Sequence, residues 1–488
     1  MGNSDKNLNK TGEQDFQNAF DEDIKYAEEN LDLEYEADFY EEEMDYTGEE
    51  RGIETGANRD IAYLVGLNLA RGLEGTDQIE RSLLELKELA ETVGALVLGG
   101  DYQNADKINA STFIGKGKLE EISEEAKSLG CNTLIFDDEL SGSQIRNIQE
   151  VAKMRVIDRT MVILDIFARR ATSKEGKLQV ELAQYNYRLS RVSMINEEFD
   201  RLGGSIGTRG PGETQLEKDR RHIRRRITLL QRELRDVSKR RVRERDKRDD
   251  KGQTIVAVVG YTNAGKSTLI NKLTGSELFA MDQVFATLDS SFRTLRLPEG
   301  SNVMLADTVG FIRKLPHELI EAFNSTLSEV SDADLILQVL DVSDAEAEDQ
   351  LEVVENQLIR LDAAEKPRVM ALNKIDQATP EQIEKFMHYR EDHENFRVMP
   401  ISAVTGEGLE EMLDVIAEFL AYRQRNYRLS LPYSQSSLYA YIKDHGNLLA
   451  EEFAETMNLE FTLDVKLSGP VERYLQETYP ERYAEDLA

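Results

Sequence analysis

Hydrophobic residues begin to recur with a regular period at Ile61. The run IAYLVGLNL reads as a short apolar strand. DQIERSLLELKELAETVG has the spacing of an amphipathic helix stopped by Gly94, and ALVLGG is a second strand. KLEEISEEAKSLG predicts a helix ending at Gly130, CNTLIFDD a strand, SGSQIRNIQEVAK a Ser-capped helix and MRVID a fourth strand. Strands and helices alternating through short connections predict a small, mostly parallel α/β domain over residues 59–160. Within it FIGKGK, Phe113 to Lys118, lacks the full spacing of a phosphate fingerprint and is read as a turn or docking surface.

The period then changes. Leu178, Leu182, Tyr185, Leu189 and Val192 step by four and three, as do Ile223, Ile227, Leu230, Leu234 and Val237 after Leu216. These are heptad seams on otherwise polar helices. Joined by a turn region of about twenty residues, they predict an antiparallel coiled-coil helical hairpin over residues 161–250, its first seam about 21 Å long. The glycine-rich stretch RLGGSIGTRGPGETQ, Arg201 to Gln215, would lie at the tip. No strand precedes it, which argues against a phosphate cradle and for close backbone approach to a partner surface.

Charge alters this picture in two places. The formal net charge is −33, but residues 1–60 hold 20 Asp/Glu against 5 Lys/Arg, and residues 201–251 hold 18 Lys/Arg against 9 Asp/Glu. Residues 1–58 read as a disordered acidic tail. On the second seam helix Arg220, Arg221, Arg224, Arg225 and Arg226 form a stripe suited to RNA phosphates, with Arg209 in the tip loop. A single cysteine, Cys131, excludes an internal disulfide framework and fits a reducing cytoplasm. The five histidines show no ligand spacing. No apolar run is long enough to span a membrane, and no export signal is expected.

The strongest chemical signal is TIVAVVGYTNAGKSTLINKL. A buried strand leads into Gly260, Tyr261, Thr262, Asn263, Ala264, Gly265, Lys266, Ser267 and Thr268, a phosphate loop opening a helix. Lys266 would reach the β- and γ-phosphates, and Ser267 would hold Mg²⁺. In VMLADTVGFI, Asp307 would bind the metal through water, with Thr308 and Val309 leading to Gly310, whose N–H would sense the γ-phosphate. Within VFATLD, Phe285, Ala286, Thr287, Leu288 and Asp289 surround Thr287, the candidate switch threonine on Mg²⁺. Phe311 stands where a glutamine would orient water, so unaided hydrolysis is expected to be slow. Asn263 in the loop can ligate K⁺ between phosphates and replace the charge of an arginine finger. The base is read by Asn373, Lys374, Ile375 and Asp376, whose carboxylate can accept both N1–H and the exocyclic amine of guanine. Ser402, Ala403 and Val404 form the second base loop, where a backbone N–H would meet the guanine carbonyl. Adenine would leave Asp376 unpaired. These motifs predict a GTPase domain, a GTP hydrolase, over residues 251–427.

Together with GTRGPGETQLEKDRR, FIGKGKLEEI and DRTMVILDIFARRA, these residues resemble the HflX family of translational GTPases over about residues 60–488. Lys218 departs mildly from the family pattern, and the acidic tail lies outside it. The resemblance implies a small carboxy-terminal α/β domain at about residues 428–488. It also implies a monomer that binds the large ribosomal subunit with its hairpin loop toward the peptidyl-transferase centre. Such a protein would split stalled or stress-arrested 70S ribosomes, with hydrolysis stimulated by the ribosome. Two other readings are an ATP-driven RNA remodeller using the amino-terminal domain, and a GTP-regulated binding module for ribosome assembly.

Overall fold

The chain is described here by a computed structural model. It describes residues 60–69, 73–202, 211–249, 253–275, 291–298, 300–314, 329–390, 392–421 and 424–479. These fall into two compact units, Met1–Arg232 with Lys314–Ala322, and Glu233–Arg313 with Phe323–Ala488.

In the first unit the predicted alternation is realised element by element. Strands β1 (Ile61–Asn68), β2 (Leu96–Asn104), β3 (Thr133–Phe136) and β4 (Arg155–Asp158) alternate with helices α1 (Leu73–Thr92), α2 (Lys116–Ser128) and α3 (Gly142–Ala152). The sheet is parallel throughout, in the order β2-β1-β3-β4. β1 is buried along its whole length, as a central strand covered on both faces requires. α3 starts in a capping box: Gln144 N–H donates to Ser141 Oγ and Ser141 N–H to Gln144 Oε1. Such a cap stabilises the helix by about 1 kcal/mol. Asp158 caps α4 (Arg159–Arg170) by accepting from Met161 N at 3.0 Å.

Two long helices follow, α5 (Lys174–Leu202) and α6 (Pro211–Asp249), the latter crossing from one unit to the other after Arg232. The connection is shorter than the twenty residues expected, because both helices extend toward the glycine-rich stretch. Pro211, whose fixed φ suits a first helical turn, opens α6 and takes Gly212 with it. Residues 203–210, including Arg209, lie outside the described residues. Of the seam positions, Leu178, Leu182, Ile227 and Leu230 are buried, and Tyr185, Leu189, Ile223, Leu234 and Val237 are half-buried. Arg226 pairs with Glu181, its Nε at 2.8 Å from Oε1. Both ends of that pair are about one-third exposed, so it is worth under about 1 kcal/mol. Burying Ile227 and Leu230 contributes about 2 kcal/mol each and outweighs it.

The second unit holds a six-stranded sheet in the order β10-β9-β8-β5-β7-β6. Its strands are β5 (Ile255–Gly260), β6 (Ser291–Arg296), β7 (Asn302–Asp307), β8 (Leu335–Asp341), β9 (Arg368–Asn373) and β10 (Phe396–Pro400). Only the β6–β7 pair is antiparallel. The helices are α7 (Lys266–Thr274), α8 (Ala347–Arg360), α9 (Pro380–Met387) and α10 (Leu409–Ala421). Chain order reverses on either side of β5, which leaves a crevice at the carboxyl ends of the strands. The carboxy-terminal part is an antiparallel sheet, β11 (Gln424–Leu431), β13 (Met457–Asp464) and β12 (Asn447–Phe453), with α11 (Ser436–His445) and α12 (Gly469–Thr478). Its core includes Leu431, Ile442, Phe461, Leu463 and Val471.

Candidate functional site: a guanine-nucleotide cradle

The loop after β5 is built by close backbone approaches. A Cβ on Gly260 would overlap the Val339 carbonyl, and one on Gly265 (φ 92°) would overlap the Asn373 amide. Asn263, exposed at the loop's crest, is itself left-handed at φ 60°. Gly265 precedes the first turn of α7, so the helix N-terminus and its backbone N–H groups open onto the loop. Lys266 is the first residue of that helix and is buried. Its Nζ donates to the carbonyls of Tyr261 at 2.6 Å and Gly260 at 3.1 Å. Burial pushes its pKa down to about 8, against the opposing influence of Asp307.

The Asp307–Phe311 segment lies against the same loop. Asp307 ends β7 opposite Val258, is 1% exposed, and interacts with Lys266. Thr308 is fully buried, its hydroxyl donating to the Val258 carbonyl at 2.6 Å. Val309 is buried beside it. Phe311 N–H donates to the Gly260 carbonyl at 3.1 Å, and Thr262 N–H to the Phe311 carbonyl at 2.8 Å. Gly310 fits closely: an added Cβ would lie 3.0 Å from Lys266 Nζ and 3.0 Å from Thr262 Cγ2. The Phe311 ring is 2% exposed. The motif alone treats this residue as a missing glutamine; the fold uses the ring as a core anchor and its backbone as a bridge to the phosphate loop.

The base loops meet the phosphate loop through one side chain. Asn373, 2% exposed, donates from Nδ2 to the Ala264 carbonyl at 2.9 Å and accepts from Ala403 N–H at 3.0 Å. A backbone N–H of this loop is expected from the sequence to meet the guanine carbonyl; for Ala403 that requires the hydrogen bond to Asn373 to be shared. Ser402 N–H is likewise taken, by the Glu407 carbonyl at 3.0 Å. The Asp376 carboxylate is exposed, and the Ser402 hydroxyl at 2.6 Å holds its pKa below the ordinary value. Lys374 is left-handed (φ 64°) and pairs with Asp341 at 2.6 Å. Ile375 N–H donates to the Ile401 carbonyl at 3.3 Å, and Val404 is exposed. Thr287 and its neighbours Phe285, Ala286, Leu288 and Asp289 lie outside the described residues.

A hydroxyl from Ser267 at the helix start and a buried carboxylate from Asp307 are hard oxygen donors of the kind Mg²⁺ takes. No cluster of three or more His, Cys, Asp or Glu suited to a metal occurs among the described residues. A magnesium ion that draws its remaining ligands from water and phosphate needs none.

In the first unit FIGKGK is tied to β2 and to α2. Gly115 N–H donates to Gln103 Oε1 at 2.6 Å, and Lys118 pairs with Asp101 at 2.5 Å and Glu121 at 3.1 Å. Gly115 and Lys118 are thus engaged within the domain, while Lys116, Gly117 and Lys118 form the first turn of α2. On α6, Arg221, Arg224 and Arg225 are exposed and Arg220 half-buried; with Glu217 and Thr228 they line a groove of about 460 Å³. No described helix is long and apolar enough to cross a membrane.

Three family models match the chain. They are described as the amino-terminal region of a GTP-binding GTPase (residues 80–168), its middle region (170–248), and a 50S ribosome-binding GTPase (255–374). A protein named GTPase HflX from Caldanaerobacter subterraneus subsp. tengcongensis is 46% identical over 392 residues, 79% of this chain and 89% of its own. The GTPase HflX of Escherichia coli is 41% identical over 362 residues, 74% of this chain and 84% of its own. A crystal structure of a GTP-binding protein from the archaeon Sulfolobus solfataricus in complex with GDP aligns at 24% identity. It covers 74% of this chain and 99% of that one, with a TM-score of 0.41.

Proposed function

The chain belongs to the HflX family of GTPases and is a GTP hydrolase, and we propose that it binds the large ribosomal subunit and separates stalled 70S ribosomes into subunits. The observation that carries the nucleotide half is the Asn373 side chain, which ties the base loop at Ala403 to the phosphate loop at Ala264. The ribosomal half is supported by the match of residues 255–374 to a family model described as a 50S ribosome-binding GTPase and by the arginine groove on α6.

The residues divide the chemistry as follows. Lys266 leaves the carbonyls of Gly260 and Tyr261 for the β- and γ-phosphates, with which its charge is better paired. Ser267 and Thr287 would hold Mg²⁺ together with Asp307, and the ion would neutralise charge developing on the phosphates. Gly310 N–H donates to the γ-phosphate, at a position where an added Cβ would crowd Thr262 and the Lys266 ammonium. Asp376, kept ionised by Ser402, accepts from guanine. Asn263 ligates K⁺. Phe311, committed to the core, leaves the attacking water without a side-chain partner, so the ribosome supplies the stimulation.

α5 and α6 act as an antiparallel hairpin presenting the glycine-rich loop at its tip, with Arg209 there and Arg220, Arg221, Arg224 and Arg225 along one side. The Glu181–Arg226 pair supports this pairing. Co-sedimentation with isolated 50S subunits tests it. Replacing Arg221, Arg224 and Arg225 with alanine should weaken binding and reduce the slope of log affinity against log salt by up to about two to three. An unchanged slope would refute the arginine assignment.

A further inference from the structure

The fold leaves the arginine stripe of α6 unneutralised. Among the described residues Arg220, Arg221, Arg224 and Arg225 have no acidic partner, and Arg220 Nε is buried without an acceptor. One residue on, Arg226 faces α5 instead and pairs with Glu181. Glu217 lines the same groove of about 460 Å³, one carboxylate against four guanidinium groups. Leu229, four residues past Arg225 and so on the same side of the helix, is 46% exposed. A cationic groove with an apolar neighbour suits a ligand that brings both carboxylates and rings.

The chain carries such a ligand itself. Residues 32–46, DLEYEADFYEEEMDY, hold eight Asp/Glu and no Lys or Arg. Tyr35, Phe39, Tyr40 and Tyr46 are interspersed among them and offer ring faces to guanidinium groups. Residues 1–59 lie outside the described residues, but their reach follows from chain length. Within the first unit a path of contacts leads from Asp60 to the groove. Asp60 pairs with Arg155 at the start of β4 at 2.9 Å, and Asp158 at its end accepts from Tyr187 of α5 at 2.7 Å. Six residues back along α5, Glu181 pairs with Arg226 of α6. β4 contributes about 10 Å, that stretch of α5 about 9 Å, and the three side-chain pairs bring the path to about 60 Å at most. The 21 residues from Phe39 to Asp60 span up to about 70 Å. The acidic segment therefore reaches the groove of its own chain.

We propose that residues 32–46 dock in the α6 groove of the same chain and compete there with RNA. Tethering holds the segment at an effective concentration on the order of millimolar, so even a weak contact competes. RNA that meets only the groove is then disfavoured, whereas a ligand that engages the tip loop as well displaces the segment. The competition rests on the RNA assignment of these arginines made above; the docking does not.

Arginine-selective modification with phenylglyoxal, read by peptide mass spectrometry, tests the docking without RNA. The full chain is compared with a variant whose eight Asp/Glu in residues 32–46 are replaced by Asn or Gln, with exposed Arg296 of β6 as the reference. Arg221, Arg224 and Arg225 should react at least about threefold more slowly in the unaltered chain at about 50 mM salt, and the rates should converge at about 0.5 M. Equal rates at low salt overturn the proposal. So does protection that grows with protein concentration, which puts the segment of a second copy in the groove. A labelled single-stranded RNA then tests the competition. Neutralising the segment should tighten RNA binding at least about fivefold, and the gain should vanish when Arg221, Arg224 and Arg225 are all replaced by alanine. A gain that survives in that background overturns the competition. Protected arginines with no RNA binding in either protein would uphold the docking and refute the RNA assignment instead.

Discussion

The side-chain amide of Asn373 reaches the carbonyl of Ala264, 109 residues earlier, at 2.9 Å, and its oxygen accepts from Ala403 at 3.0 Å. One buried amide therefore fixes phosphate loop, first base loop and second base loop at once. Asn373→Ala should strand a carbonyl and an N–H and cost roughly 2 to 6 kcal/mol, since each orphaned buried group costs about 1–3 kcal/mol. Urea unfolding of the variant checks this. A loss under about 0.5 kcal/mol would mean that the loops are held by other means.

Gly265→Ala should fail at the same place from the other side, because its Cβ would overlap the Asn373 amide and its φ of 92° strains any L-residue. Nucleotide binding, measured with a fluorescent GDP, should fall on the order of a hundredfold while the amino-terminal unit stays folded by circular dichroism. Near-normal affinity would contradict the packing described.

Asp376→Asn should exchange the preferred base. The new amide cannot accept from guanine's donors, whereas xanthine offers it a carbonyl, so the GTP-to-XTP affinity ratio should fall by on the order of a hundredfold or more. Competition binding with both nucleotides measures it, and an unchanged ratio would remove Asp376 from base reading.

Lys266 sets a pH dependence with a definite sign. Without nucleotide its pKa lies near 8, against 10.5 for an ordinary lysine. The unfolded chain therefore holds more protons between those values, and stability of the nucleotide-free protein should rise with pH across that window from this group. Phosphate binding demands the charged form, so GDP affinity should fall above about pH 8, by up to about tenfold per unit. Titration calorimetry in buffers of different ionisation enthalpy would show proton uptake near pH 8. A flat affinity from pH 7.5 to 9.5 would contradict the burial of Lys266.

Replacing K⁺ by Na⁺ should slow hydrolysis at least about tenfold if Asn263 supplies a ligand to the larger ion, and Asn263→Ala should erase the difference. Equal rates in both salts would leave Asn263 with only its left-handed turn to explain it.

Most of the fold is legible in the sequence because its signals are local. The strands from Ile61 to Asp158 and the phosphate loop follow from periodicity, caps and glycines within a few residues of each other. The motif at Gly310 and Phe311 names the residues but not where the ring points, and here burial in the core decides it. Tyr187 and Arg191 fall off the heptad seam and read as surface, yet they close on Asp158. Arg155 and Asp60 are 95 residues apart and belong to no common pattern. Pairings of that kind arise from which strand ends the topology brings together, and no spacing along the chain encodes them. The antiparallel carboxy-terminal sheet is likewise set by strand pairing rather than by the residues of any one strand.

The central claim is that this GTPase separates ribosomal subunits through the loop joining α5 and α6. The most direct measurement is sucrose-gradient sedimentation of 70S ribosomes with the full chain and GTP or a non-hydrolysable analogue, beside a variant lacking Gly203–Gly212. The 70S peak should convert to 30S and 50S with the intact protein and persist with the variant, whose intrinsic GTP hydrolysis stays normal. A 70S peak left whole by the intact protein at saturating concentration, or split equally well by the variant, would contradict it.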